Sequence, residues 1–467
     1  MDQDIDARIK PALALSSEIA LGQRKAVELM EATLDRIAAT NSSVNAIVSL
    51  RDRQSLLAEA HAADQTDRKG WLHGIPIAIK DLANAGGFPT SMGSTLFAGE
   101  IAERDDIMVA RLRRAGAIVI GKTNTPEFGL GSHTFNPVFG PTRNPYNLER
   151  SAGGSSGGAA VALASGMLSL ADGSDMMGSL RNPAAWNNVY GMRPTWSLVP
   201  SEPKGDTFLH QLSTNGPMAR NPQDLAALLD TMSGTDPRQP NGRIQPATLP
   251  HLSEDLPDLH LGWLGDWGGH LPFENGILDL CEAALSDMPV RRSSVSPPFA
   301  SDRIWDSWIT LRSFAVAASL GPLDGNPALK DTAQWEVTRG LSFSAAEIQR
   351  ASLTRSEWFE TAASLFDRYD VLAIPSAQVW PFDVEMNYPT HIGACEMDTY
   401  HRWMEVVVPA SLIGLPAISV PVGFGGADDL PMGIQLIGQR GSDALLLKLA
   451  AAWHDKTNWP EARPPQL

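Results

Sequence analysis

The sequence predicts an α/β fold built around a largely buried β-sheet. Short apolar runs at 75–79 and 117–120 alternate with segments of helical periodicity such as 108–114. Strands that alternate with helices along a chain are typical of α/β cores. The 467 residues are 43% hydrophobic and 19% charged, so the chain can bury a large core.

Elements on either side of this segment follow from the same patterns. Apolar residues at Ala26, Met30, Leu34 and Ile37 recur at helical spacing and predict an amphipathic helix over 25–39. Four prolines and two glycines between 234 and 250 indicate a linker. Strands and a closing helix are predicted at 371–375, 418–422, 433–437 and 445–453.

Tryptophans punctuate the helical stretches that follow the linker. They lie at positions 263, 267, 305, 308, 335 and 358. Core packing is the simpler interpretation, because a tryptophan buries a large apolar area. The alternative is a cap that supplies aromatic surface to a substrate pocket.

Charge and hydropathy exclude several classes of partner. The net charge is -16 with no basic run, so a polyphosphate backbone is repelled and nucleic acid is not expected as a partner. Residues 1–6 are acidic and no apolar segment follows them, which argues against a secretory signal and predicts a cytoplasmic protein. Cys281 and Cys395 have no metal or redox spacing and are predicted to be inert core thiols.

The segment 406–424 is uncharged and about long enough to span a bilayer. Pro409, Pro416 and Pro421 would break such a helix repeatedly. We therefore expect buried strands and turns here, and no membrane partner.

Three polar side chains stand out as a candidate reaction centre. Lys80 ends the apolar run 75–79, Ser155 lies in a Gly-Gly-Ser-Ser-Gly-Gly loop, and Ser179 follows Ser155 by 24 residues. Two serines and a lysine can supply a nucleophile, a proton relay and a base without histidine or metal. Taken singly, each feature has a structural explanation, since glycine-rich loops are usually turns and lysines after strands are usually solvated.

The same loop fits other chemistries less well. Both Ser155 and Ser156 satisfy the Gly-x-Ser-x-Gly pattern of a nucleophile elbow, and His391, His401 and His454 lie downstream without diagnostic context. A phosphate loop would need a Gly-Lys-[Ser/Thr] ending, which is missing. The lysine in Ile-Ala-Ile-Lys is not accompanied by the other kinase motifs.

Longer motifs give the three residues a common context. The run 153–195 resembles the core motif of the amidase signature family, from the glycine-serine loop to Gly-x-[Lys/Arg]-Pro-Thr. The likeness extends to 121–128, 139–145, 414–421 and 431–438, and leaves out about 240–365. The resemblance implies the amidase signature fold: a large mixed central β-sheet covered by helices on both faces.

By position in the motif, the resemblance implies a role for each site residue. Ser179 corresponds to the acylated nucleophile, Ser155 to a relay serine that follows a cis peptide bond, and Lys80 to the terminal base. The backbone amides of residues 176–179, namely Met176, Met177, Gly178 and Ser179, would form the oxyanion hole. The supporting and substrate-binding positions are Asp175, Arg181 and Ser156, and Gly129, Met177 and Trp186.

Lys80 can act as a base near neutral pH only if its pKa is low. A free lysine titrates near 10.4, so its pKa must fall by roughly 2.5–3.5 pH units, equivalent to about 3.5–5 kcal/mol. Burial at the end of an apolar strand would supply that desolvation. Ser155 would then pass a proton between Ser179 and neutral Lys80.

Two departures from the family pattern concern the substrate pocket. Met177 stands where the family usually has a glycine, and Trp186-Asn187-Asn188 replaces a common Phe-Cys-Gly. Met177 restricts the backbone and adds an apolar wall. We expect these changes to reshape the acyl pocket and to favour an apolar or aryl acyl group.

The resemblance implies one amidase domain over 1–467, in four regions. These are an N-terminal helical region 1–60, a catalytic core 61–235, a variable helical cap 236–370 and a C-terminal part 371–467 that rejoins the core sheet. The expected activity is cofactor-independent and metal-free hydrolysis of a small-molecule carboxamide, carbamate or ester by water. Homodimers are common in the family, which leaves a homodimer open.

Two alternatives remain. The first is the glutaminase-like subunit of a tRNA-dependent amidotransferase, although about 240–400 shows no match to that subunit's pattern. The second is a binding protein that kept the fold and lost activity, against which the retention of Lys80, Ser155 and Ser179 speaks.

Overall fold

The predicted α/β class is confirmed in a computed structural model of the protein. The structure describes residues 10–209 and 211–467, so the acidic start at 1–6 lies outside the described residues. The helices are α1 Ala12–Ala20, α2 Ala26–Val44, α3 Arg53–Asp64, α4 Ile107–Arg114, α5 Gly157–Ala164, α6 Arg181–Trp186, α7 Pro222–Met232, α8 Ile277–Asp287, α9 Ser301–Leu320, α10 Asp331–Ser342, α11 Ala345–Leu365, α12 Val408–Leu412, α13 Asp443–Thr457 and α14 Trp459–Ala462. Short 3-10 helices lie at Glu127–Gly129, Leu249–Ser253, Gly321–Leu323 and Arg402–Val407.

The strands match most of the predicted apolar runs. They are β1 Ile47–Val48, β2 Pro76–Lys80, β3 Ile118–Thr123, β4 Arg143–Asn144, β5 Asn147–Ser151, β6 Leu170–Asp175, β7 Tyr190–Arg193, β8 Thr214–Ala219, β9 His260–Trp263, β10 Arg291–Ser294, β11 Val371–Pro375, β12 His391–Ile392, β13 Cys395–Glu396, β14 Ala417–Gly425 and β15 Leu430–Gly438. The predicted linker at 234–250 has no strand and only the start of one 3-10 helix.

Within the described residues, eight strands form one mixed sheet in the order β10-β9-β11-β15-β14-β7-β8-β6. The first three are parallel to one another and the remaining neighbours are antiparallel. The C-terminal strands β14 and β15 lie in the middle, so the end of the chain rejoins the core as predicted.

Helices cover both faces of this sheet, as expected. On β15, Gly433 and Gly438 point to opposite faces because side chains alternate along a strand. Ala185 of α6 packs over Gly433, and Leu446 of α13 packs over Gly438. The turn 176–180, which carries Ser179, directly precedes α6 and so lies on the α6 face.

The first predicted strands form a separate sheet, which the sequence pattern did not distinguish from the main one. Strands β1, β3 and β2 pair in that order. The main-chain amide of Lys80, the last residue of β2, donates to Asp172 Oδ1 of β6 at 3.1 Å. This bond ties the small sheet to the edge strand of the large one, which leads into the turn 176–180 that carries Ser179.

Three further expectations need correction. The region 236–370 is not only helical, since β9 and β10 extend the main sheet; both are short, and Arg291-Arg-Ser-Ser is a polar edge without an apolar pattern. In 406–424 the first half is helical, because Pro409 is tolerated in the first turn of α12, where its missing N–H is not needed. Cys395 is exposed in a short hairpin, whereas Cys281 is buried. The division into four regions stays a prediction.

Most of the tryptophans after the linker pack in the core, as the simpler interpretation holds. Those with buried side chains are Trp263, Trp267, Trp305, Trp308 and Trp358. Trp335 is half-buried and lines a surface cavity with Tyr388 and Tyr400. Among the described residues, no helix combines the length and apolar character that crossing a membrane requires.

The close packing of α6 on the sheet gives a stability prediction. A Cβ at Gly191 of β7 would lie 2.2 Å from the Leu180 carbonyl oxygen, which is backbone and cannot swing away. We expect Gly191→Ala to lower the free energy of unfolding by about 1–3 kcal/mol, as overpacking does. Urea denaturation measures the change.

Gly242→Ala is the matched control for this prediction. A Cβ at Gly242 would have no contact closer than 3.4 Å, and its φ lies outside the left-handed region, so alanine should be neutral or slightly stabilising. Equal unfolding free energies for the two variants would contradict the packing argument.

Candidate active site

Lys80 reaches the glycine-serine loop from the end of β2. Its side chain is buried, and Nζ lies 2.8 Å from both Ser155 Oγ and Ser156 Oγ. Ser174 Oγ is a third partner at 3.2 Å. The structure therefore brings the predicted base beside the predicted relay serine, and gives the supporting residue Ser156 an equally close contact.

Burial lowers the pKa of Lys80 to about 7, against the opposing charges of Asp172 and Asp175. A large share of the lysine is neutral at neutral pH, and a neutral amine can accept a proton. Burial also raises the pKa of Asp172 to about 6, although the Lys80 amide and the charges of Lys122 and Lys80 oppose this. Burial thus brings the pKa values of Lys80 and Asp172 close to neutral pH from opposite directions.

Close packing explains the glycines of the loop. The Gly154–Ser155 peptide bond is cis, as the resemblance implies. A Cβ at Gly157 would lie 2.3 Å from Thr134 Oγ1, and one at Gly158 would lie 2.3 Å from the Asn124 amide nitrogen. Neither position accommodates a side chain, so the two overlapping Gly-x-Ser-x-Gly matches have a packing explanation.

The histidines of the nucleophile-elbow hypothesis have other surroundings. His454 Nδ1 lies 3.2 Å from the Tyr190 hydroxyl, His401 is buried among Trp305, Trp335 and Tyr400, and His391 is exposed. A catalytic serine needs its base within hydrogen-bond reach. The basic group that contacts this loop is Lys80.

The turn 176–180, which carries Ser179, lies against the glycine-serine loop 153–158. Ser179 is 7% exposed, and its carbonyl oxygen accepts a hydrogen bond from the Ser156 amide at 3.2 Å. Within the described residues, the amides of Met176, Met177 and Ser179 have no hydrogen-bond acceptor. Unpaired amides in a buried turn are available to a ligand oxygen.

Gly178 departs from its predicted role as an oxyanion donor. Its amide donates to Asp175 Oδ1 at 2.9 Å, because the turn folds back on the carboxylate that precedes it. Gly178 instead supplies the positive φ of 79° that the turn requires. The available donors are therefore its neighbours in the turn.

Asp175 holds the turn, as predicted, within a buried charge cluster. Arg181 donates to Asp175 Oδ2 from Nε at 3.1 Å and to Asp175 Oδ1 from Nη2 at 3.0 Å, and Arg193 Nη1 lies 3.3 Å from the same Oδ1. Arg181 also donates to Ser411 Oγ at 2.6 Å and to the Gln435 side chain. Burial alone would raise the pKa of Asp175, but the charges of Arg181 and Arg193 outweigh it and hold the pKa below its ordinary value.

The predicted substrate contacts need revision. Gly129 does approach the site, since a Cβ there would lie 3.6 Å from Ser155 Oγ. Trp186 is fully buried because α6 is pressed between the sheet and Trp403, on which its ring stacks at 5.9 Å. Met177 is 3% exposed and belongs to the core. Met176 is the half-buried methionine of the pair, and its Sδ accepts from Arg312 Nη1 at 3.4 Å.

A cavity of about 280 Å³ lies beside the catalytic loop. Its wall includes Leu130 and Ser132, which follow Gly129, and the Ser132 hydroxyl donates to the Gly154 carbonyl oxygen. Lining residues include Glu127, Leu130, Lys330, Tyr388, Tyr400 and Trp403. Trp186 does not line this cavity but packs on the lining residue Trp403 and on Phe382, which packs on the lining residue His133, so any influence on a ligand there is indirect.

Several functional positions were missed at the sequence level. Arg193 and Gln435 lie inside the recognised motifs, so their motif positions were a usable signal. Arg312 and Lys330 lie in the region without motifs, where no pattern distinguished them from surface charges. No group of three or more His, Cys, Asp or Glu side chains in the described chain could hold a metal ion.

Comparison with known proteins decides the family. The family model described as Amidase matches residues 28–447. The chain belongs to the amidase family. It is a hydrolase that acts on amide C–N bonds.

Individual relatives match over nearly the whole chain. An acylamidase of Rhodococcus erythropolis is 32% identical over 97% of this chain and 96% of its own length. A glutamyl-tRNA(Gln) amidotransferase subunit of Symbiobacterium thermophilum is 32% identical over 95% of this chain and 96% of its own. A bacterial aryl acylamidase structure superposes with a TM-score of 0.90 at 27% identity, covering 98% of this chain and 99% of that one.

These matches correct one expectation. The family match at 28–447 includes 240–365, which the motifs left out. The amidotransferase subunits align over the same region, so its lack of motifs does not exclude that alternative.

The Asp175 cluster gives a second stability prediction. Asp175→Asn leaves two buried guanidinium groups without their carboxylate, and breaking such a pair costs about 3–5 kcal/mol. Asp258→Asn removes an exposed ion pair with Arg291 and should leave the urea midpoint unchanged. Similar losses in both variants would contradict the role of the cluster.

The same cluster predicts a loss of stability in acid. The pKa of Asp175 is depressed in the folded chain, so its stabilisation is complete above the unfolded carboxyl pKa of about 3.9 and is lost as pH falls through the folded value. Urea titrations from pH 5 to pH 2 should show this loss in the wild type, with a shallower dependence in Asp175→Asn. Equal slopes would contradict it.

Proposed function

We propose that the chain hydrolyses carboxamides through an acyl-enzyme on Ser179, with Ser155 as relay and Lys80 as base. Ser179 Oγ attacks the carbonyl carbon while its proton passes to Ser155, whose own proton passes to neutral Lys80. The reverse flow protonates the amine as the C–N bond breaks. Water then repeats the sequence on the ester and regenerates Ser179.

The contact between Lys80 Nζ and Ser155 Oγ at 2.8 Å is the observation that carries this proposal. A buried lysine with a pKa near 7 is ready to take a proton, and the contact supports Ser155 as the group from which that proton comes. The free amides of Met176, Met177 and Ser179 suit the developing oxyanion, whose charge they would meet with preorganised dipoles.

The substrate we propose is an amide with an apolar or aryl group, with carbamates and esters as side substrates. Support comes from the aromatic wall of the cavity, formed by Tyr388, Tyr400 and Trp403, and from the similarity to an acylamidase and an aryl acylamidase. A cytoplasmic location, a homodimer and the absence of cofactor and nucleic-acid partners stay predictions.

The second candidate is a glutaminase that passes ammonia to partner proteins in an amidotransferase complex. The alignment with a glutamyl-tRNA(Gln) amidotransferase subunit over 95% of the chain favours it. Purified protein that releases ammonia from glutamine only with the other members of such a complex present would establish it. Turnover of anilides by the isolated chain, with no glutaminase activity, supports the amidase instead.

Substitutions should separate the roles of the two neighbouring serines. Ser179→Ala should abolish acylation, and Ser155→Ala and Lys80→Ala should lower kcat by several orders of magnitude with the fold intact. Ser156→Ala removes one contact of Lys80 but no relay atom, so its loss should be much smaller. Steady-state kinetics with an anilide and circular dichroism check this; a Ser156→Ala variant as inactive as Ser179→Ala would overturn the assignment.

The lowered pKa of Lys80 predicts the pH profile. The base works only when neutral, so kcat/KM should rise with pH through an apparent pKa of about 7 and level off above about pH 8. The residual activity of Lys80→Ala should lack this rising limb. The same limb in Lys80→Ala would show that another group titrates.

A further inference from the structure

The wall of the cavity beside the glycine-serine loop carries a cation and a shielded anion that do not form an ion pair. Lys330 and Glu127 both line it, and each influences the pKa of the other. Within the described residues they form no ion pair, so their polar ends lie further apart than a direct contact. Both side chains are therefore open to a ligand in the cavity.

Both side chains keep hydrogen-bonding capacity that the protein does not use. Lys330 Nζ donates to the Leu130 carbonyl oxygen at 2.9 Å, which leaves further N–H donors. Glu127 Oε1 accepts from Ser94 Oγ at 2.6 Å, and its other oxygen has no partner in the described chain. Glu127 is 4% exposed, so that oxygen is a buried acceptor that faces the cavity.

The other polar groups of the wall are largely committed. The Tyr400 hydroxyl lies between Arg312 and Glu336, and His133 has partners on both ring nitrogens. Asn387 and Asp331 are exposed at the surface. Two further lining residues, Thr332 and Tyr388, have hydroxyls without a partner in the described chain. Charged recognition inside the cavity therefore depends on Lys330 and Glu127, framed by these hydroxyls and the aromatic rings.

The cavity is placed to receive part of a substrate bound at Ser179. Its wall continues from Gly129, whose Cβ position is 3.6 Å from Ser155 Oγ, to Ser132, which bonds Gly154. On the other side, Arg312 donates hydrogen bonds to the Tyr400 hydroxyl and to Met176 Sδ, which belongs to the turn 176–180. Ser132 and Tyr400 line the cavity and connect it, directly or through Arg312, to the loop and to Met176. The cavity therefore adjoins the proposed reaction centre, although Lys80, Ser155 and Ser179 do not line it.

We propose that this cavity is a subsite for a carboxamide-like substituent on the substrate, one that accepts a hydrogen bond from Lys330 and donates one to Glu127. A neutral group that carries both an acceptor and a donor matches one cation and one anion in the same wall. A carboxylate would meet the charge of Glu127, and an ammonium would meet that of Lys330. Burial lowers the pKa of Lys330 to about 8, so the ammonium form still prevails at pH 7. The subsite rests on the proposed amidase function.

Matched aryl amides test the subsite. Two series carry a para carboxamide, carboxylate or methyl group, one on the acyl ring and one on the amine ring. In at least one series, wild-type kcat/KM for the carboxamide should exceed that for the methyl compound about tenfold. Lys330→Met should remove this preference through KM, while methyl substrates and the exposed control Lys204→Met stay within about twofold of wild type.

Glu127→Gln gives a readout that structural damage does not mimic. Glutamine keeps the size and can donate to a carboxylate, so selectivity should shift about tenfold from the carboxamide towards the carboxylate compound. One outcome would overturn the subsite alone. In it, methyl substrates are turned over normally, neither series shows a preference for the carboxamide, and Glu127→Gln does not shift selectivity towards the carboxylate. Absence of Ser179-dependent turnover for every compound would overturn the proposed function as well.

Discussion

The burial of Lys80 is the constraint on which the site depends. An ammonium group in a dry interior is costly, and the protein meets that cost by holding the pKa near 7 and by giving Nζ hydroxyl partners in Ser155 and Ser156. The small sheet delivers the lysine, and its bond to Asp172 joins that sheet to the edge of the large one. The position that the fold gives Lys80 therefore accounts for the low pKa that the proposed base requires.

The nucleophile turn is held by the opposite device, a charge kept fully ionised. Asp175 is also buried, but Arg181 and Arg193 keep its pKa low, and the further bonds of Arg181 reach Ser411 and Gln435. Turn, helix and sheet are therefore locked together around one carboxylate. Within the described residues the amides of Met176, Met177 and Ser179 keep no internal partner, which suits catalysis by preorganised dipoles.

Sequence reasoning predicted the parts of this site that lie in contiguous motifs. Ser155 and Ser179 were singled out because both lie in the motif run 153–195, and Lys80 because it ends the apolar run 75–79 and completes a pattern of two serines and a lysine. Trp186 was assigned to the substrate wall, but its side chain is buried. That burial depends on Trp403, which is distant along the chain and comes close only in the fold, so the sequence did not reveal it. The strands at 260–263 and 291–294 were missed for a similar reason, since four-residue strands carry no periodicity and exist through pairing with distant neighbours.

Covalent labelling with a fluorophosphonate probe tests the central claim most directly. The probe reacts with an activated serine, and peptide mass spectrometry identifies which one. We expect the adduct on Ser179, formed faster as pH rises through about 7 in the wild type and very slowly in Lys80→Ala. An adduct on Ser156, or labelling of Ser179 that is unaffected by Lys80→Ala, would contradict the assignment of nucleophile and base.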